Sequence, residues 1–137
     1  MKEKRSSQDK INRELVLYSF RRCPFAIRAR LAIYYSTIKC QIREISLKNK
    51  PPEFILASPK ATVPVLLKED FSVIEESLDI VKWILGQSDP SQLLIPLHDK
   101  NEDVDYLISL FDNKFKFHLD RYKSVSYTHL RAHETVR

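Results

Sequence analysis

A single cysteine stands where a strand-like segment gives way to a helix-like segment. Cys23 lies in "SFRRCPFAIRARL", after two arginines and directly before Pro24. Because proline is favoured in the first turn of a helix, the sequence predicts Cys23 at the N-cap of a helix that begins at Pro24. Unpaired backbone N–H groups and the helix dipole there favour the thiolate, the reactive form of a thiol. The alternatives are half of a redox pair, a metal ligand or a buried structural cysteine.

The residues around Cys23 narrow these alternatives. A dithiol oxidoreductase needs a second cysteine three residues after the first, and that position is Ala26. The other cysteine, Cys40, falls in a predicted strand and is interpreted as a core residue. The sequence has no CxxC and no Cys/His cluster at zinc spacing, so we expect no metal. A monothiol that is resolved by an external thiol is favoured over a buried structural cysteine.

Two further segments have the chemistry to hold a peptide-like ligand. In "TVPVL", a cis Val63–Pro64 bond would turn the Val63 backbone outward as an edge for a peptide, although trans is the ordinary expectation. In "EES", Glu76 and Ser77 stand at a predicted helix N-terminus, where they can simply cap the helix. Alternatively, Ser77 and the backbone amides hold a carboxylate while Glu76 holds an ammonium, the two charges of an α-amino acid end.

The elements that must position these residues form a thioredoxin-like pattern. The sequence predicts strands at 14–20, 39–46, 62–68 and 71–74, helices at 24–36 and 76–87, and a helical turn within 48–61. A strand, a 13-residue helix and a strand predict a βαβ unit with a parallel pair. The predicted fold class is therefore α/β, with a mixed four-stranded sheet in the order βαβ-α-ββα, followed by the start of a truncated all-α domain.

The second predicted helix is apolar on two sides. One face carries Leu78, Val81 and Leu85 and would cover the sheet. A second stripe, which needs another layer, consists of Ile80, Trp83 and Ile84. Without that layer we expect the stripe to be exposed, and the chain as printed to be poorly soluble or inactive.

The chain divides into five predicted segments. They are a flexible basic tail at 1–13, the thioredoxin-like domain at 14–87, a linker at 88–101, the first helix of an all-α domain at 102–123, and a non-native tail at 124–137. Within that tail, "VSYTHLRAHET" resembles the translation of a transposon-type DNA sequencing adapter, so its His129 and His133 carry no weight as a metal pair. We expect the natural chain to continue past Lys123.

Charge and hydropathy exclude several classes of partner. The net charge is +5, and residues 1–13 alone carry five basic and two acidic side chains. Because the charge lies mostly at the ends rather than on a folded face with interleaved aromatics, we expect no nucleic-acid partner. No apolar run is long enough to span a bilayer, and the charged start lacks the apolar core of a secretory signal. We therefore expect a cytoplasmic protein with no membrane partner.

Four motifs follow one another between residues 21 and 85: "RRCPFAIRARL", "LKNKPPEF", "SPKATVPVL" and "VIEESLDIVKWIL". Together they resemble the glutathione S-transferase superfamily, in its cysteine-type branch of omega-like and related bacterial enzymes, and the resemblance covers residues 14–87. The resemblance implies a thioredoxin-like N-terminal domain and glutathione as a co-substrate. Ala61 departs from the pattern, because members commonly have glycine there; since alanine prefers negative φ, we expect a slightly altered loop.

The resemblance also implies roles for individual positions. Cys23 would form a mixed disulfide with glutathione, and Phe25 would flank it. Lys50 would meet the glycine carboxylate of glutathione. Val63, next to a cis Pro64, would pair its backbone with the cysteinyl part.

At the other end of the same ligand, Glu76 and Ser77 would hold the γ-glutamyl group. The implied activity is glutathione-dependent thiol transfer through the Cys23 thiolate, namely deglutathionylation or dehydroascorbate-type reduction. Its acceptor would be a small electrophile, a disulfide or a glutathionylated molecule. Conjugation is the weaker option, because it needs a Tyr or Ser donor. Tyr18 and Ser19 precede Cys23, and only Ser19 is near enough to consider. The alternative is a non-catalytic binding module that interacts with another protein. The resemblance also implies a homodimer for the full-length chain, because dimers are usual in the family.

Overall fold

The computed structural model describes residues 14–98 and 102–123. Its elements are β1 (Leu15–Ser19), α1 (Pro24–Ser36), β2 (Cys40–Glu44), α2 (Pro52–Ala57), β3 (Val65–Leu67), β4 (Val73–Ile74), α3 (Ser77–Gln87), α4 (Ile95–His98), α5 (Glu102–Leu110) and a π-helical segment, Phe111–Phe115. Helical structure then continues to residue 123. The predicted tails 1–13 and 124–137 lie outside the described residues. The chain forms two compact units, which divide after Leu94.

The four strands form one mixed sheet in the order β2-β1-β3-β4. β1 runs parallel to β2, with Leu15 opposite Cys40 and Ser19 opposite Glu44. β3 is antiparallel to both β1 and β4. The predicted parallel pair and mixed four-stranded sheet are confirmed. We call the edge where β1, β2 and β4 end the carboxyl edge, and the edge where they begin the amino edge.

The sheet is covered on both faces, which explains the continuous apolar run of β1. All five residues of β1 are buried, and successive side chains point to opposite faces. On one face they pack with α1 and α3 in a cluster that contains Leu15, Leu17, Ala29, Ala32, Ile33, Leu66, Ile80, Ile84 and Leu85. On the other face, Val16, Tyr18, Ile45, Phe54 and Val65 cluster beneath α2.

Helix α1 has the predicted bounds, but its buried side differs from its most apolar stripe. The buried positions are Ala26, Ala29, Ala32, Ile33 and Ser36. In contrast, the larger side chains Ile27, Leu31, Tyr34 and Tyr35 are exposed. Small residues let the helix approach its neighbours closely, so side-chain size, and not apolar spacing alone, decides which side of α1 faces inward.

The expectation that the second stripe of α3 would be exposed is wrong. Ile80 and Ile84 are fully buried at 0% exposure, and Trp83 is half-buried against the same cluster. The reason is that α1 and α3 lie on the same face of the sheet, so α3 packs against both the sheet and α1. The layer that the stripe needs is therefore supplied within the first unit.

The second unit begins earlier and is less regular than expected. The predicted linker 88–101 contains α4, and the predicted helix 102–123 includes a π-helical turn at Phe111–Phe115. Before α4, the Asp89 carboxylate accepts hydrogen bonds from the backbone amides of Leu93 and Leu94, at 2.8 and 2.9 Å. Across the described ranges, every helix is too short or too polar to cross a bilayer.

Candidate functional site

Cys23 occupies the N-cap of α1, the position expected from Pro24. Its backbone is extended, with φ −75° and ψ 119°. The Cys23 amide donates to the Phe20 carbonyl at 3.0 Å, and the Cys23 carbonyl accepts from the Ile27 amide at 2.9 Å. The thiol is half-buried and is not part of a disulfide. Cys23 therefore begins α1, although its side chain makes no capping hydrogen bond.

Arg30 ties the loop before Cys23 to α1. Its Nη1 donates to Ser19 Oγ at 2.6 Å and to the Phe20 carbonyl at 3.3 Å. Its Nη2 donates to the Arg21 carbonyl at 2.9 Å. Because a single guanidinium joins the end of β1 to the cysteine loop, it restrains where the thiol lies. The sequence offered only a weak signal for this contact, an arginine seven residues after the cysteine.

The sheet topology brings three candidate segments to the carboxyl edge. Cys23 follows the end of β1, and Glu76 and Ser77 follow the end of β4. Val63 and Pro64 precede β3, which runs in the opposite direction and therefore begins at this edge. The Val63–Pro64 peptide bond is cis, as the resemblance implied. The sequence separates these segments by up to 54 positions, and only the strand order places them together.

The prediction that Ser77 caps α3 is wrong. Glu76 is the N-cap, Ser77 is the first helical residue, and neither makes a side-chain capping bond. Instead, the nearly buried Ser77 Oγ accepts a hydrogen bond from Arg28 Nε of α1 at 2.9 Å. The Arg28 guanidinium also lies 5.2 Å from the ring centroid of Phe25. This contact was not predicted from the sequence, because Arg28 and Ser77 are 49 positions apart.

Glu76 already has a cationic neighbour on the protein. Its Oε1 lies 2.9 Å from Lys60 Nζ, and both side chains are exposed. The hydrogen bond and the charge of Glu76 raise the pKa of the Lys60 ammonium. One position before Glu76, the Glu75 carboxylate accepts a hydrogen bond from Ser58 Oγ at 2.7 Å. The Glu76 carboxylate therefore attracts an ammonium group, and in this structure that group belongs to Lys60.

Ala61 holds the loop before the cis proline in a conformation that usually favours glycine. Its φ is 52°, in the left-handed region, and its amide donates to the Ser58 carbonyl at 2.8 Å. The expectation that alanine would keep a negative φ is therefore wrong, while the expected alteration of the loop stays a prediction. The hydrogen-bonded turn outweighs a conformational cost of about 1 kcal/mol for a residue with a Cβ.

Lys50 comes from a different loop than Cys23, Glu76 and Ser77. It is half-buried in the segment between β2 and α2. Within the described parts of the chain, no hydrogen bond or ion pair joins it to Cys23, Glu76 or Ser77. Its role toward a ligand carboxylate stays a prediction, as does the flanking role of Phe25.

Cys40 lies at the amino edge, opposite Leu15 in the sheet register. It is half-buried, and burial raises the pKa of its thiol from 9.0 to about 11. The negative charge of Glu14 raises the pKa further, while a backbone hydrogen bond with Leu17 lowers it. Cys40 packs against the core cluster formed by α1 and α3. These features match the interpretation of Cys40 as a core residue.

An open cavity of about 320 Å³ also lies toward the amino edge. It is lined by Val16, Leu67 and Phe71, with charged side chains of both signs around them. It holds no cysteine and none of the candidate residues. Over residues 14–98 and 102–123, no group of three or more His, Cys, Asp or Glu side chains forms a metal-binding cluster.

A family model described as the glutathione S-transferase N-terminal domain matches residues 17–92, which is more than half of the chain. The chain belongs to the glutathione S-transferase superfamily. Among curated proteins it is 38% identical over 80 residues to glutathione S-transferase omega-1 of Sus scrofa, covering 58% of this chain and 33% of that protein. It is 35% identical over 80 residues to omega-2 of Rattus norvegicus, covering 58% and 32%. This member of the superfamily is omega-like, and the chain spans about a third of the length of these curated relatives.

Solved structures agree on the fold. Rice GST1, determined in complex with glutathione, is 32% identical with a TM-score of 0.51, over 55% of this chain and 34% of that one. Leishmania TDR1, described as a trimeric glutathione transferase, is 31% identical with a TM-score of 0.57, over 72% and 22%. Omega 3C of Trametes versicolor is 25% identical with a TM-score of 0.52, over 58% and 36%. The thioredoxin-like fold predicted from the sequence is thereby confirmed.

Proposed function

We propose that this protein is a glutathione-dependent thioltransferase in which Cys23 is the nucleophile. The observation that carries the proposal is the position of Cys23 at the N-cap of α1, at the same sheet edge as Glu76 and Ser77. A thiol at a helix N-terminus favours its thiolate, and the thiolate is the form that attacks disulfides. The same edge carries Glu76 and Ser77, a carboxylate and a hydroxyl that can bind the ammonium and the carboxylate of an α-amino acid.

The reaction proceeds in two balanced exchanges. First, the Cys23 thiolate attacks the glutathionyl sulfur of a glutathionylated acceptor. A new disulfide forms between Cys23 and glutathione, while the bond to the acceptor breaks and the acceptor leaves as a thiolate that takes a proton from water. Second, the thiolate of another glutathione attacks the bound glutathionyl sulfur. Oxidised glutathione leaves and the Cys23 thiolate is regenerated. In the net reaction one free glutathione is consumed and the acceptor is released as a thiol. One molecule of oxidised glutathione forms, and half of it comes from the glutathionyl group of the acceptor.

Thiol transfer is favoured over conjugation by the surroundings of the two candidate donors. Conjugation would use a Tyr or Ser hydroxyl to stabilise the thiolate of glutathione. Tyr18 is 2% exposed and packs against Phe54 at a ring-centroid distance of 5.1 Å. Ser19 is fully buried, and its hydroxyl accepts a hydrogen bond from Arg30. Neither hydroxyl is accessible to a bound sulfur, whereas Cys23 is partly exposed.

In this proposal the other candidate residues hold glutathione as the co-substrate. Glu76 binds the ammonium of the γ-glutamyl group, and the Ser77 hydroxyl binds its carboxylate. The Val63 backbone, before cis Pro64, pairs with the cysteinyl part. Beyond it, Lys50 meets the glycine carboxylate and Phe25 flanks the sulfur. The complex of rice GST1 with glutathione supports this choice of ligand.

The decisive experiment compares the two cysteines in the full-length protein. Cys23→Ser should lower the turnover of a glutathionylated small disulfide by at least about 100-fold, because serine cannot form the mixed disulfide. Cys40→Ala, the matched control, should retain activity within about twofold. Trapping with oxidised glutathione and mass measurement should show one glutathione on wild type and none on Cys23→Ser. Unchanged turnover of Cys23→Ser would remove Cys23 as the nucleophile.

A second candidate is a non-catalytic module of the same fold that binds another protein. The exposed apolar side chains of α1, including Leu31 and Tyr34, favour it. Failure of the full-length protein to bind immobilised glutathione would favour this candidate over the enzyme.

We also propose that the full-length protein is a cytoplasmic homodimer. Light scattering after size-exclusion chromatography would test the dimer, and cell fractionation would test the location.

A further inference from the structure

We propose that Arg28 is a positioning residue that turns the Ser77 hydroxyl into a hydrogen-bond donor for the γ-glutamyl carboxylate. The inference deepens the proposed function and rests on it. Its basis is the hydrogen bond from Arg28 Nε to Ser77 Oγ at 2.9 Å, which joins α1 to the first residue of α3.

The hydrogen-bonding capacity of the two groups fixes the direction of the Ser77 proton. A hydroxyl has one proton and two lone pairs, while a guanidinium has donors only. Arg28 therefore fills a lone pair of Ser77 and cannot accept its proton. Within the described residues this is the contact that the Ser77 hydroxyl makes. The proton remains available for an acceptor that comes from outside, such as a carboxylate oxygen.

The position of Ser77 removes the acceptor that a helical serine ordinarily uses. Within a helix, a serine hydroxyl often donates to the carbonyl four residues earlier. Ser77 is the first residue of α3, so the residue four positions earlier is Val73, which belongs to β4. A hydroxyl that accepts from a cationic donor is also polarised and becomes a stronger donor itself. Arg28 thus both directs and strengthens the donor.

Arg28 further connects the two halves of the proposed site. It lies five residues after Cys23 on the same helix, and its guanidinium is near the Phe25 ring. A single side chain therefore joins the helix that presents the thiol to the residue proposed to hold the far end of glutathione. Loss of Arg28 should weaken recognition of the γ-glutamyl group in particular, rather than the reactivity of the thiol.

Two matched substrates test this inference in the full-length protein. They are the mixed disulfides of 2-mercaptoethanol with glutathione and with cysteinylglycine, which lacks the γ-glutamyl group. Arg28→Met keeps an unbranched side chain but removes the donor and the charge. It should lower kcat/KM for the glutathionyl substrate about tenfold and for the cysteinylglycyl substrate less than about twofold. Arg43→Met, on exposed β2, is the matched control and should change neither value.

A double variant separates positioning from folding. In a Ser77→Ala background, Arg28→Met should cost less than about twofold further, because the hydroxyl that it positions is gone. The role of Arg28 would be overturned if Arg28→Met lowered kcat/KM equally for the two substrates. It would also be overturned if Arg28→Met caused the same fold loss in the Ser77→Ala background as in wild type. Neither result would contradict the proposed function. Absence of turnover in the wild-type protein on both substrates would instead refute the proposed function, and this inference with it.

Discussion

The two cysteines of this chain occupy opposite edges of one sheet, and only Cys23 is proposed as a nucleophile. Both are half-buried, and neither is part of a disulfide. Cys23 follows β1 at the carboxyl edge and begins α1, so that it lies at a helix N-terminus. Cys40 begins β2 at the amino edge, where burial raises the pKa of its thiol to about 11. Partial exposure alone therefore does not distinguish them.

The difference extends to the two edges of the sheet. In open α/β sheets, ligands bind outside the carboxyl ends of the strands, because loops and helix N-termini meet there. At the carboxyl edge of this sheet lie the cis Val63–Pro64 bond, Glu76 and the Arg28–Ser77 hydrogen bond. The amino edge has an open cavity, an ion pair between Lys39 and Glu14, and Cys40, whose thiol pKa is raised by burial. Each of the following predictions sets one edge against the other.

The largest expected effect concerns the thiolate of Cys40. A shift of its pKa from 9.0 to about 11 reduces its thiolate fraction at neutral pH about 100-fold. At pH 7.5, iodoacetamide should therefore label Cys40 about 100-fold more slowly than an unperturbed thiol, measured by peptide mass spectrometry in the Cys23→Ala variant. Labelling should accelerate as the pH rises from 9 to 11.

The raised pKa of Cys40 also predicts how the stability of the fold depends on pH. The folded-state pKa of this acid is raised, so the folded state retains the proton longer than the unfolded state does. Stability from Cys40 should be complete below pH 9 and decline between pH 9 and 11, and the Cys40→Ala variant should lack that part of the decline. Rapid labelling of Cys40 at pH 7.5 would contradict its assignment as a core thiol.

The next effect tests whether carboxylates at the two edges differ in function. Glu76→Gln removes the charge proposed to hold the ammonium of glutathione, and should lower kcat/KM for a glutathionylated substrate about tenfold. Glu69→Gln, beside the amino-edge cavity, serves as the control and should leave kcat/KM unchanged. Similar losses in both variants would indicate a general effect of net charge instead of a binding site.

The smallest effect compares two exposed ion pairs of the same length. Lys60 lies 2.9 Å from Glu76, and Lys39 lies 2.9 Å from Glu14. Because Lys60 competes with the ligand ammonium for Glu76, Lys60→Met should strengthen glutathione binding about twofold at low salt, and less at high salt. Lys39→Met should have no effect in the same titration. Weaker binding after Lys60→Met would show that Lys60 contacts the ligand directly.

Local sequence features predicted the elements well, because their signals are confined to neighbouring residues. Pro24 marked the start of α1, and the strand–helix–strand spacing predicted the parallel pair. Contacts between distant segments were harder to predict. The burial of Ile80 and Ile84 depends on where α1 lies, and the bond of Ser77 depends on Arg28, 49 positions earlier. The family resemblance supplied the proposed site positions. It did not indicate that Lys60 pairs with Glu76 or that Arg28 binds Ser77.

The buried side of α1 has a consequence for the proposed binding of glutathione. Ala26, Ala29 and Ala32 line that side, and alanine has no side-chain rotamers to rearrange. The α1 side of its contact with α3 therefore has few side-chain rotamers that binding could order. If glutathione spans Cys23 and Ser77 as proposed, little side-chain entropy is lost at these alanines when it binds.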